Sequence, residues 1–222
     1  MPFLYIVATP IGNLEDVSKR ALRILSEVDL ILCEDTRVTK RLLDFYNIKK
    51  QVLSYHQHSK LNKTDYIIGL LKKGKNLALV SDAGTPGISD PGNLLIKEAL
   101  ISLGDKIKIV SVPGASALAS ALSVSGFPTD RFLFLGFPPV KNKRKKFFEE
   151  LVNSKYPAVF YESPYRILRT LGDLKEIDKT LEVVVCRELT KVFETVYRGN
   201  IEKVIKELQN DKMKGEFVVI VK

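Results

Sequence analysis

The sequence predicts an α/β protein built from two small α/β domains with a ligand cleft between them, and three observations predict it. Short, almost continuously apolar runs alternate with longer amphipathic ones, the pattern of a parallel sheet covered by helices on both faces. Clusters of Gly, Pro, Asp and Ser fall where the apolar runs end. After Ser125-Gly126-Phe127-Pro128-Thr129 the alternation starts afresh. A boundary near Ser116 gives an N-terminal domain of residues 1–115 with a mostly parallel sheet and a C-terminal domain of residues 116–222 with a mixed one. The cleft between two such domains is a usual ligand site.

In chain order, Phe3 to Ala8 is the first strand. It lacks the basic start and long apolar stretch of a signal peptide. Turn residues Thr9 to Asn13 break it. Val17, Ala21, Leu22, Leu25 and Val28 follow at helical spacing, with Asn13 or Asp16 as the expected N-cap. Leu30 to Cys33 is a second buried strand, ending in Glu34-Asp35-Thr36-Arg37 before a basic helix. Gln51 to Tyr55 is a short strand, and Tyr66, Ile67, Leu70 and Leu71 mark the next helical face. Leu77 to Val80 is a strand, Asn93 to Leu103 a helix, Ile107 to Val112 a strand, and Ala117 to Val124 a helix after Val112-Pro113-Gly114. The second half reads as strands at Arg131 to Leu135, Ala158 to Tyr161, Leu181 to Cys186, Phe193 to Tyr197 and Glu216 to Val221. Helices lie around Phe147 to Val152, Tyr165 to Leu174 and Ile201 to Leu208.

The longest break is Ser81 to Gly92, where nine of twelve residues are Gly, Pro, Asp or Ser. A plain connection in an α/β unit needs about 2–6 residues, so a break of this length points to a ligand loop. Its glycines allow close backbone approach to a ligand, and its prolines stiffen it. Asp82 and Asp90 offer carboxylates at a strand end, the ligand face of open α/β sheets.

The formal net charge of +9 favours a polyanionic partner such as nucleic acid. The densest basic run, Lys141-Asn142-Lys143-Arg144-Lys145-Lys146, precedes a helix. It is either a solvated helix start or an RNA-backbone contact, and its unfavourable position against the helix dipole favours the second. Arg37, Lys40 and Arg41 extend it. No apolar run approaches the ~20 residues of a membrane span. The two cysteines, Cys33 and Cys186, sit in apolar strands and are expected as free thiols of a cytoplasmic protein. His56 and His58 have poor zinc spacing, so no metal is expected. Gly69 to Lys75 comes close to a phosphate-binding loop but has one residue too few between its glycines, lacks the following Ser or Thr, and ends a helix instead of opening one. No Gly-x-Gly-x-x-Gly turn follows the first strand, which excludes a standard dinucleotide site.

Six strand-end motifs occur together in order: Tyr5 to Leu14, Glu34-Asp35-Thr36-Arg37, Ser81 to Gly92, Val112 to Ala117, Phe160 to Arg166, and Arg187-Glu188-Leu189-Thr190-Lys191. This set resembles the tetrapyrrole methylase superfamily over nearly the whole chain. Within it, the chain is similar to the branch that methylates a ribose 2′-oxygen of a decoding-centre cytidine in small-subunit (16S) ribosomal RNA. The loop Ser-Asp-Ala-Gly-Thr-Pro-x-Ile-Ser-Asp-Pro-Gly is specific to that branch, where others carry Gly-Asp-Pro. The resemblance implies S-adenosylmethionine as cofactor, held in the cleft, and a homodimer acting on ribosomal RNA or the assembled 30S subunit. By position it assigns Pro10, Ser81, Asp82, Ala83, Gly84, Ile88, Ser116, Ala117, Tyr161 and Glu162 to the cofactor. Some members continue past the last strand, so RNA contacts made there are expected to be missing from a chain that stops at Lys222.

Methyl transfer from a sulfonium is an in-line displacement that needs alignment above all. A ribose hydroxyl also has to lose its proton, to a nearby base or to water. The acids at strand ends, Glu34, Asp35, Asp82, Glu162 and Glu188, are the candidates. Lys191 and Arg166 are candidates to anchor the flanking phosphate. Each has a plainer alternative: Glu34-Asp35-Thr36 as a helix start, and Glu162 with Arg166 as an i,i+4 pair. The competing functions are a tetrapyrrole C-methyltransferase, whose polycarboxylate substrate also suits positive charge, and a non-enzymatic RNA-binding protein.

Overall fold

The computed structural model describes residues 1–56 and 61–222, and the chain divides into two compact units, Met1–Ser116 and Ala117–Lys222. The first unit holds β1 (Phe3–Val7), β2 (Leu30–Cys33), β3 (Val52–Ser54), β4 (Leu77–Leu79) and β5 (Lys108–Val112) in the order β3-β2-β4-β1-β5, every neighbouring pair parallel. Its helices are α1 (Lys19–Glu27), α2 (Thr36–Phe45), α3 (Leu61–Lys72) and α4 (Asn93–Leu103). Strand side chains alternate between faces, so each strand feeds two cores. Leu4, Leu32 and Leu79 pack with Ile67 and Leu71 of α3 and Leu95 and Ala99 of α4. Val7, Ile31 and Ala78 pack with Ala21, Ile24 and Leu25 of α1 and Leu43 of α2. The neighbours β1 and β4 therefore send their following helices to opposite faces. That divergence is the topological switch point, where open α/β sheets bind ligands outside the carboxyl ends of their strands.

Local chemistry sets the helix ends. Ser18, not Asn13 or Asp16, caps α1: its hydroxyl accepts the Ala21 N–H at 3.1 Å. Asn13 caps a separate single turn, Leu14–Asp16, and the extended backbone at Val17 divides the two. Asp35 caps α2, accepting the Arg37 N–H at 2.8 Å, an arrangement worth about 1 kcal/mol. At the end of α3 Gly74 turns left-handed, and the Lys75 N–H donates to the Leu70 carbonyl at 3.2 Å. His58 lies outside the described residues.

The second unit holds β6 (Leu133–Phe134), β7 (Ala158–Glu162), β8 (Glu182–Arg187), β9 (Thr195–Asn200) and β10 (Phe217–Val221), ordered β6-β7-β10-β8-β9. Only β6 and β7 pair in parallel. Its helices are α5 (Ala117–Ser125), α6 (Arg144–Val152), α7 (Ile167–Ile177) and α8 (Ile201–Gln209). The last three lay Phe148, Leu171, Leu174 and Val204 on Phe160, Val185 and Val219. The strand expected from Phe193 starts instead at Thr195. Glu188 and Thr190 adopt left-handed φ of 52° and 68°, which turns the chain out of the ladder before β9 begins. Cys33 and Cys186 are buried and unpaired with each other. Among the described residues no helix is long and apolar enough to cross a membrane.

Candidate active site

The loops that follow β1, β4 and β5 are sewn together at the switch point. Thr9 and Gly84 exchange backbone hydrogen bonds of 2.9 and 3.0 Å, an isolated antiparallel bridge beyond the parallel sheet. The Thr9 hydroxyl donates to the Ser81 carbonyl at 3.1 Å, and the Thr85 hydroxyl donates to the Ala115 carbonyl at 3.2 Å. Gly84 sits at φ +82°, and a Cβ there would lie 3.3 Å from Cγ2 of Ile11 and 3.7 Å from the Ala115 carbonyl. A Cβ at Gly114 would lie 3.0 Å from that of Ala8. The main chain of all three loops thus converges closely at Gly84 and Gly114. Pro10 and Ser116 lie in these loops, with Ser81 and Gly84 buried and Ala83 and Ile88 exposed.

Beside this cradle opens a polar hollow of about 430 Å³, lined by Glu34, Asp35, Thr36, Arg37, Ser54, His56 and Asp82. The Asp35 N–H donates to Asp82 at 2.9 Å and fixes that carboxylate across the ends of β2 and β4. The Ser54 hydroxyl and Nε2 of His56 are 2.8 Å apart. The acids differ in proton affinity. Arg37 holds Asp35 down at about 2, through a fork with distances of 2.6 to 3.1 Å. Burial and the charge of Asp82 push Glu34 up, against the pull of His56. Burial also pushes Asp90 up to about 6; the Ser81 hydroxyl opposes this, and Glu34 and Asp82 reinforce it. Asp90 was expected from sequence as a second carboxylate of the ligand loop, and His56 was considered as a metal ligand; Ser54 was the residue that sequence reasoning passed over.

A carboxyl held above its free value favours folding in its protonated form. The contribution of Asp90 is complete below its ordinary value of 3.8 and is lost as the pH rises to about 6. Asp90→Asn should therefore raise the melting temperature at pH 7 to 8 and flatten the decline between pH 4 and 6. A melting curve unchanged across that range would remove Asp90 from the strained cluster.

In the second unit the predicted residues fall into two groups, and neither provides a free base. Glu162 is buried with both oxygens engaged: one takes the Ser163 N–H and the Arg166 guanidinium, each at 2.7 Å, and the other takes the Thr170 hydroxyl at 2.6 Å. This corrects its assignment as a catalytic acid, because a carboxylate saturated at the base of a turn is a structural one. Arg166 also donates to Ser163 and to the Pro138 carbonyl, so its guanidinium is spent inside the fold. Glu188 accepts Lys191 at 2.8 Å and the Glu216 N–H at 3.0 Å. Burial opposes its charge, but those donors outweigh it and leave the carboxyl below the usual range, a poor base. Lys191 divides its ammonium between Glu188 and Glu216. Tyr161 is half-buried with its ring edge-on to Phe134 and Phe137, and Ala117 is the first residue of α5.

The basic run also needs one correction. Arg144 is buried: it donates to Asp173 and to the Thr170 hydroxyl at 2.7 Å and to the Pro139 carbonyl at 3.1 Å, and stacks on Phe148 at 4.7 Å. It cannot meet a phosphate. Lys143, Lys145 and Lys146 are exposed, and Arg37 is exposed beside Asp35. Among the described residues no group of His, Cys, Asp and Glu could hold a metal ion.

The family described as Tetrapyrrole (Corrin/Porphyrin) Methylases matches residues 3–205. The chain belongs to this family. Among tetrapyrrole methylases it is 46% identical to the Ribosomal RNA small subunit methyltransferase I of Thermotoga maritima, over 98% of this chain and 96% of that one. It is 46% identical to the protein of that name from Halalkalibacterium halodurans and 45% to the one from Bacillus subtilis, covering 75% of each. Solved structures share the fold at lower identity. A cobalt precorrin-4 methyltransferase aligns with TM-score 0.69 at 16% identity, over 99% of this chain and 94% of that one. A uroporphyrin-III-C-methyltransferase from Thermus thermophilus aligns with TM-score 0.61 at 19%, over 99% and 94%. The methyl donor of tetrapyrrole methylases is S-adenosylmethionine. The site fits it: a cradle of closely converging main chain lies beside carboxylates that complement a sulfonium cation.

Proposed function

We propose that this protein is an S-adenosylmethionine-dependent ribosomal RNA methyltransferase that modifies the ribose 2′-oxygen of a cytidine in the decoding centre of the small subunit, acting as a homodimer. The observation that carries the reading is the near-full-length likeness, at 46% identity, to proteins named Ribosomal RNA small subunit methyltransferase I. Against it, the likeness to tetrapyrrole enzymes is 16–19% and shows fold alone. The hollow supports the same choice. Its carboxylates repel a polycarboxylate tetrapyrrole, whereas a ribose hydroxyl can donate to one of them.

The loop residues would hold the cofactor by main chain: Thr9 and Pro10, Ser81 to Gly84, and Ala115 with Ser116. When bound, S-adenosylmethionine supplies an electrophilic methyl group. The Thr9–Gly84 bridge fixes the β4 loop, so its backbone groups meet a ligand without further loss of chain entropy. Glu34 accepts the hydroxyl proton. It lines the hollow, and its raised proton affinity moves it toward working pH, where a base is most effective. Asp35 is too acidic for that role and Asp82 is tied to the Asp35 N–H, so those two position the hollow.

Radiolabelled methyl transfer separates the classes. Small ribosomal subunits lacking the modification should accept label from this protein and S-adenosylmethionine, and uroporphyrinogen should not. Transfer to uroporphyrinogen alone would make the protein a tetrapyrrole enzyme. Cofactor binding with RNA binding and no transfer to either would make it a binding protein.

A further inference from the structure

We propose that one end of the sheet in the second unit is a stacking ledge for unpaired RNA bases, with Tyr165 and Phe193 as its principal rings. This inference rests on RNA being the substrate. β7 and β8 both run antiparallel to β10, and β6 runs parallel to β7, so the loops after β6, β7 and β8 leave the sheet at the same end. Each loop puts a ring in water there. Tyr165, after β7, is 95% exposed, and Phe193, after β8, is 70% exposed beside Val192 at 93%. Phe137, after β6, is 55% exposed and braced edge-on against Tyr161, with ring centroids 5.5 Å apart.

These rings stand on rigid supports. The residues on either side of Ser163-Pro164-Tyr165 are locked by the buried Glu162–Arg166 pair. The β8 loop is held in two left-handed conformations, at Glu188 and Thr190, by the Lys191 clasp to Glu188 and Glu216, and the Thr190 hydroxyl is buried without a partner. Strain held in place by its surroundings marks a functional segment. It serves the fold nothing to spend that strain on presenting an apolar pair to water.

Charge selects the occupant. Lys141, Lys143 and Lys146, on the β6 loop and the start of α6, are exposed and form no ion pair among the described residues. Exposed rings flanked by cations are how proteins hold single-stranded RNA, with bases stacked on the rings and phosphates against the cations. An interface with a second copy of this chain would instead have a core depleted of charge.

The test uses the full chain and a short single-stranded RNA containing 2-aminopurine, whose fluorescence is quenched by stacking. The parent protein should bind and quench. Tyr165→Ala and Phe193→Ala should each weaken binding roughly tenfold and relieve the quench, with cofactor affinity and the salt dependence of RNA binding unchanged. Tyr165→Phe should behave as the parent. Replacing Lys141, Lys143 and Lys146 with Ser should instead flatten the salt dependence, by about 0.7 in log–log slope for each phosphate that is no longer neutralised. Alanine variants that bind and quench like a parent active on RNA would overturn the ledge alone. Alanine variants that alter the sedimenting mass but not RNA affinity would overturn it in favour of an interface between copies. A parent that neither binds nor methylates RNA would refute the RNA reading, and the ledge with it.

Discussion

Gly84→Val should abolish S-adenosylmethionine binding in a protein that still folds. Gly84 sits at φ +82°, a region that β-branched residues scarcely visit, and its new Cβ would meet Ile11 at 3.3 Å with the Ala115 carbonyl behind. The backbone strain costs on the order of 1–3 kcal/mol, within the ~5–15 kcal/mol that holds a domain together. The loss to the site should be larger, because the strain and the contact with Ile11 fall on the residue that bridges to Thr9, and a shift there disturbs the register of the loops. Calorimetric titration reads the result directly. Gly84→Ala should give an intermediate loss. Parent-like affinity for the Val variant, with circular dichroism unchanged, would take this loop out of the cofactor site.

Glu162→Ala should lower stability by about 3–5 kcal/mol, the cost of breaking a buried ion pair from one side. Arg166 then keeps its charge within the fold with only Ser163 and the Pro138 carbonyl as partners, and Thr170 loses its acceptor while still bound by Arg144. Arg144→Ser disturbs the same network from its other end, where Asp173 is left without its guanidinium. Denaturant midpoints of the two variants and of their double variant give the coupling, which should be strongly non-additive. A Glu162→Ala protein of parental stability that had lost only its methyl-transfer rate would return Glu162 to the chemistry.

The α/β class was legible because apolar runs such as Leu30 to Cys33 and Leu77 to Leu79, buried on both faces, have no other explanation in a chain with breakers at their ends. Strand order was not. β4 inserts between β2 and β1, and a crossover leaves no trace in the strand it delivers. Asp35 as a helix cap was readable from its place before Thr36-Arg37, as was the close convergence implied by Gly84. Long-range partners were invisible. Arg144 sits in a run of five cations, yet the groups that draw it inward, Thr170 and Asp173, are 26 and 29 residues away. Asp90 reads from sequence as a ligand-face carboxylate like Asp82, but its raised proton affinity comes from burial and from the charges of Glu34 and Asp82, which only the folded loop brings to bear. Phe193 was read as the start of a strand because its apolar side chain fits the strand pattern. Only the left-handed turns at Glu188 and Thr190 show why it stays outside.

The proposed acceptor of the methyl group is a ribose oxygen of one cytidine. A methyl there removes the internal nucleophile by which alkali cleaves RNA. Small subunits that lack the modification, incubated with this protein and S-adenosylmethionine, should gain alkali resistance at a single cytidine linkage of the decoding centre. Nucleoside analysis should then show a ribose-methylated cytidine and no new methylated base. A methylated base at that position, or no RNA product from a protein that methylates a tetrapyrrole, would contradict the account.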